Sequence, residues 1–157
     1  MIAINDYRQF IAELVAAAAA NCEEETVPKT RLAVTESQLI NMLKDMSGIV
    51  VAGNIPGSDI HDSGYYWSDG ECLLMVLEKW PADKQGSQWE YDEFARIQRL
   101  MAAMVRLLTG EDFQQFCDQG ELDATRPLTV EWEYNSYGGF NGMSVTFRLK
   151  DKNGTGL

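Results

Sequence analysis

A single histidine, His61, and three widely spaced cysteines, Cys22, Cys72 and Cys117, leave this 157-residue chain short of soft metal ligands and of nucleophile–base pairs. The odd cysteine count, without any C-x-x-C pair, excludes a disulfide framework and a zinc-finger spacing and fits a reducing compartment. One histidine in an acidic stretch leaves no base for a Ser or Cys nucleophile elsewhere, so no catalytic triad is expected. The phosphate-binding glycine motifs and H-E-x-x-H are missing as well, which removes the parts that nucleotide and zinc-protease chemistry require. No run reaches the roughly 18 uninterrupted apolar residues of a membrane-spanning helix. Residues 10–20 (FIAELVAAAAA) have no basic stretch before them and contain Glu13, so they read as the start of a mature, cytoplasmic chain and not as a signal peptide. Positive charge is scarce: 13 Lys and Arg stand against 24 Asp and Glu, a net −11 that repels nucleic acid and anionic membranes alike.

What is present is enough apolar area, 45% of residues, to pay for one core. Tyr7, Phe10, Ile11, Leu14, Val15 and Ala18 recur at helical spacing after a cap at Asn5 or Asp6. Arg31–Val34 reads as a short strand, and Thr35 followed by Gln38 is a capping-box signal for a second helix through Leu39, Met42, Leu43 and Met46. Ile49–Val51 and residues 71–80 (ECLLMVLEKW) read as buried strands joined by a long loop, 54–70. Phe94, Ile97, Met101, Met104, Val105 and Leu108 mark a long helix that stops at Gly110, followed by a short one over 111–119. Two alternating strands close the chain, one with Leu128, Val130, Trp132 and Tyr134 on its apolar side, the other with Met143, Val145, Phe147 and Leu149. The Gly-rich link 136–142 (SYGGFNG) makes them an antiparallel hairpin, on whose open face Glu131 and Glu133 are placed to pair with Arg148 and Lys150. The expectation is one α+β domain over residues 1–150: an antiparallel sheet of about four strands with helices packed on one face, as in ferredoxin-like and related folds. Residues 151–157 read as a flexible tail.

Two places are candidate binding sites. The loop 54–70 gathers His61 with Asp59, Asp62, Asp69 and Glu71, and sets Tyr65, Tyr66 and Trp67 beside them, aromatics that suit stacking on a ligand or partner or division between core and sheet surface. Counted from Asp59, a calcium-loop template has His61 at its third position and Gly70 where its twelfth needs glutamate, so no metal and no cofactor is expected. The hairpin tip holds Tyr137 and Phe140 between glycines, placed either to meet a neighbouring subunit or to pack back on the sheet. Arg96, Arg99 and Arg106 share one side of the long helix, where Glu93 makes a solvated charged face the simpler reading than a phosphate site.

The order of elements over residues 28–150, with the Asp-rich loop before a central strand, the long helix and a final hairpin ending GMSVTFRLKD, resembles small prophage-encoded tail and neck proteins. The resemblance implies a non-enzymatic assembly component of tail-terminator or tail-completion type, found in the virion and acting through self-association or other protein partners. The alternatives are a small-ligand module with a pocket under the 54–70 loop and, third, an enzyme of uncharacterised chemistry.

Overall fold

The computed structural model describes residues 1–62, 66–118 and 120–151. The elements run α1 (Ile4–Asn21), β1 (Lys29–Ala33), α2 (Glu36–Leu43), β2 (Val50–Asn54), β3 (Asp59–Asp62), β4 (Tyr66–Lys79), α3 (Gln88–Thr109), α4 (Phe113–Phe116), β5 (Gly120–Leu122), β6 (Thr129–Ser136) and β7 (Phe140–Asp151). The class is α+β, but the sheet has seven strands where about four were expected. Two long antiparallel strands, β4 and β7, form its centre and pair from Asp69 with Lys150 to Lys79 with Phe140. The far edge of β4 is shared by β2 and β3, and the far edge of β7 by β6 and β5. β1 lies outside β2 and parallel to it, joined through α2, so the sheet is mixed.

The expected loop 54–70 is thus largely a continuation of the hairpin. β2 and β3 are one strand interrupted opposite residues 70–73, and the Asn54 side chain bridges the gap. Its carbonyl accepts from the Leu73 N–H at 2.7 Å and its amide donates to the Glu71 carbonyl at 2.9 Å, replacing two ladder bonds. The displaced backbone at Gly57 crosses directly over Gly70, where any side chain would strike its carbonyl.

Two cores form, one on each face of the sheet. α1 and α3 lay Tyr7, Phe10, Leu14, Ile97 and Met104 on Val51, Leu74, Val76, Val145 and Phe147. On the opposite face α2 sets Leu39 and Leu43 on Val50, Ala52, Met75 and Leu77. Helices therefore cover both faces, which corrects the one-face expectation. The β1–α2–β2 crossover is what carries α2 to the other side. The capping signal at Thr35 is realised: its Oγ1 accepts from the Gln38 N–H at 3.2 Å, while Gln38 reaches back to the Val34 N–H at 2.8 Å. The first helix starts earlier than expected, at Ile4 with Ala3 as its cap, because its buried stripe and not a side-chain cap sets its beginning. Among the described residues no helix is long and apolar enough to cross a membrane.

Candidate functional site

His61 sits on β3 opposite Trp67 of β4, on the α2 side of the sheet. Its Nε2 is 3.0 Å from Asp69 Oδ1, and Arg148 of β7 closes on the same carboxylate with Nε at 3.1 Å and a terminal nitrogen at 3.2 Å. The Arg148 guanidinium also reaches Asp59 and, at 3.8 Å, Glu71. Asp69 is only 5% exposed. Burial pushes its carboxyl up, but the hydrogen bonds and charges of Arg148 and His61 together outweigh that and hold it below the usual carboxylate range. Asp59, Asp69 and Glu71, three of the acidic residues singled out in the sequence, are thus drawn onto one arginine across three strands. Tyr65 lies outside the described residues, and Tyr66 and Trp67 are placed by their backbone alone, as the first rungs of the β3–β4 ladder. Residues 152–157 of the expected tail also lie outside them, whereas Asp151 is the last residue of β7.

The space beneath the displaced 55–58 backbone, bounded by Pro56, Ser58, Ser68 and Leu149, measures about 20 Å³. That holds about one water and falls far short of the several hundred Å³ a metabolite needs. At the hairpin tip, Phe140 is 1% exposed in the α2-side core and Tyr137 lies half-buried against that core. Burial, then the nearby Glu133 and Glu36 carboxylates, push the Tyr137 phenol up. The glycines of the tip serve the turn: Gly138 and Gly139 take φ of +88° and +99°, the left-handed region.

An exposed apolar row lies on β6, where burial was expected. The alternation of Val130, Trp132 and Tyr134 is present, but these side chains are 41%, 51% and 53% exposed. On this side Phe94 of α3 packs edge-on to Trp132, with ring centroids at 5.0 Å. An aromatic run continues inward from there, Phe94 to Trp80 at 4.6 Å and Trp80 to Trp89 at 6.0 Å, with Tyr91 exposed on the same helix. On the opposite side of β6, Glu131 and Glu133 do not meet Arg148 and Lys150. The register sets them across from Ser144 and Gly142, while Arg148 is held by Asp69 and Asp59, and Lys150 by Asp123 at 3.0 Å. Glu131 and Glu133 make no ion pair among the described residues. Among the described residues β6 pairs only with β7, which leaves its outer backbone edge open.

No protein-family model and no curated protein matches this sequence.

One further cluster escaped the sequence reading. Glu78 of β4 stands on the helical face of a core strand and meets Glu93 and Arg96 of α3, with the Trp80 Nε1–H directed at its Oε2 at 3.4 Å. Arg96 is itself engaged by Glu24 at 2.8 Å and Glu93 at 3.4 Å. Burial, followed by the hydrogen bond and charge of Glu93, pushes Glu78 up to about 7. Glu78 directly after the apolar run Cys72–Leu77 was the available signal. The sign of the pH effect follows from linkage: between the ordinary carboxylate value near ~4.3 and about 7, the folded chain holds a proton that the unfolded chain has lost. Stability on this account falls as pH rises through that window. Glu78→Gln is expected to flatten that slope and, with solvent screening of the half-exposed group allowed for, to gain on the order of 1–2 kcal/mol at pH 8. Melting temperatures of both proteins at pH 5 and pH 8 test this; equal changes in the two would contradict it.

Proposed function

We propose that this chain is a non-enzymatic assembly protein that works through protein–protein contacts, in keeping with the tail-terminator or tail-completion type that its order of elements resembles. The observation that carries this reading is β6: a strand whose outer edge pairs with no other among the described residues, with Val130, Trp132 and Tyr134 exposed on one side and Glu131 and Glu133, in no ion pair among the described residues, on the other. An apolar row next to an open edge is costly to leave in water and invites strand addition, and monomeric proteins usually blunt such edges. Against the small-ligand alternative, the space that the described residues leave under 55–58 is about 20 Å³, too small for a metabolite.

Association is expected to appear as mass that rises with concentration in sedimentation. Trp132→Thr keeps a β-forming residue but removes the ring, and should raise the concentration for half-assembly about tenfold or more, as removal of a central aromatic anchor does. A mass that stays monomeric at every concentration, alone and with candidate tail proteins, would end this reading.

A further inference from the structure

The two outer strands of the sheet carry opposite charge on the same face. β1 is the edge strand at one end, and its Lys29 and Arg31 lie across from Val50 and Ala52, on the α2 side. Neither makes an ion pair among the described residues; Arg31 donates only to the neighbouring Thr30 carbonyl at 2.8 Å. β6 is the edge strand at the other end of the same rungs. Following the register across the sheet, Arg31 leads through Ala52, Met75 and Ser144 to Glu131, and Lys29 leads through Val50, Leu77 and Gly142 to Glu133. The helical face keeps the same order: Leu32 leads through Gly53, Leu74 and Val145 to Val130, and Thr30 through Val51, Val76 and Met143 to Trp132.

Resting on the assembly reading above, we propose that copies of this chain join head to tail, β6 of one copy adding antiparallel to β1 of the next. A simple continuation of the sheet from copy to copy does four things at once. It pairs an outward open edge with an outward open edge. It gives the antiparallel direction, since β1 and β7 run one way and β6 the other. It sets Glu131 against Arg31 and Glu133 against Lys29 on one face. On the other face it brings Val130 and Trp132 to Leu32 and Thr30. The β1 edge is shaped for this: an open groove of about 680 Å³ runs along it, lined by Ile4, Arg8, Thr30, Leu32, Met42 and Ile55. Ile4 and Met42 are exposed there, at 51% and 38%. Its apolar and basic lining complements the apolar and acidic β6. The symmetrical alternative is unfavourable, because β6 against β6 sets Glu131 beside Glu133 and β1 against β1 sets Lys29 beside Arg31, like charges directly opposed. A heterologous join has a free edge at each end and so builds assemblies larger than a pair, which close as a ring when the rotation permits.

The test uses two full-length variants, E131K/E133K and K29E/R31E, in sedimentation velocity beside the wild type, with circular dichroism to verify folding. Each alone is expected to raise the half-assembly concentration about tenfold or more. An equimolar mixture of the two should recover wild-type mass, because each basic β6 then meets an acidic β1 and each acidic β6 a basic β1. The chain carrying all four reversals should recover it alone. If a charge reversal impairs folding, E131Q/E133Q and K29Q/R31Q replace it, with a smaller shift in the same direction. Three results overturn the proposal. A mixture that stops at a pair shows like edges meeting, β6 with β6 or β1 with β1. Wild-type assembly that the reversals leave unchanged shows a different interface, with the assembly reading intact. A wild type that is monomeric throughout removes that reading and this proposal together.

Discussion

Gly142→Ala is expected to lower stability by about 3 kcal/mol or more, a large part of the ~5–15 kcal/mol that holds a typical domain folded. Gly142 is the third residue of β7, across from Leu77, and a Cβ placed there would run into the Val76 carbonyl, with the Val76 carbon at 2.9 Å and Leu77 Cα at 3.1 Å. These are backbone atoms of the central strand. No rotamer change relieves the clash, so β4 and β7 must separate along the ladder that joins the two halves of the sheet. For a chain of this length the loss corresponds to roughly 10 °C in melting temperature. Gly57→Ala is the matched control: nothing lies within 4 Å of a Cβ at that position, and its change should stay within about 0.5 kcal/mol. Thermal and denaturant unfolding of the two variants decide the matter. Gly142→Ala as stable as Gly57→Ala would show that β4 and β7 are not as closely apposed as described.

Arg148→Met should cost about 2–3 kcal/mol at pH 7, below the upper range for a buried pair because Asp59 and Glu71 remain in reach of water. The guanidinium holds the buried Asp69 carboxylate by two of its nitrogens and faces two further carboxylates, so its removal leaves Asp69 with His61 as its partner in this cluster and like charges around it. The pH dependence separates this from loss of packing. A carboxylate held below its ordinary value contributes stability that is complete above the unfolded value near ~3.9 and is lost as pH falls through the folded one. The deficit of Arg148→Met should therefore be largest at neutral pH and shrink by pH 3, and Asp69→Asn in the same chain should restore part of it. A deficit equal at pH 7 and pH 3 would assign the role of Arg148 to its aliphatic stem instead.

How much of this was legible in the sequence differs by element, and the differences have physical causes. The stripes of α1 and α3 state their own burial, because one face of each meets the core, whereas β7 is buried on both faces from Phe140 to Val145 and alternates only beyond, which its expected open face did not foresee. The Thr35–Gln38 cap is a local interaction and was legible for that reason. β3 and β5 were not, at four and three residues, since their place depends on the strands beside them and not on an apolar pattern of their own. The direction of β1 and the side taken by α2 come from the crossover, which periodicity does not encode. β6 is the most instructive case. Its period was plain, but period gives only which residues share a side; whether a helix covers that side depends on where α1 and α3 lie in space. The candidate site was missed there for the same reason. Asp59, Asp69 and Glu71 are close in the sequence, whereas the Arg148 that gathers them lies 79 residues from Asp69 in the chain and could not be read from a local pattern.

Amide hydrogen exchange over Thr129–Ser136, at protein concentrations below and above the rise in mass, tests the assembly claim most directly. Among the described residues no strand pairs with the outer edge of β6. Its outward amides should exchange freely in dilute solution and become protected as mass rises, together with those of Lys29–Ala33, and E131K/E133K should abolish the gain in both strands. Exchange in β6 that does not change while the mass increases would contradict assembly through this edge.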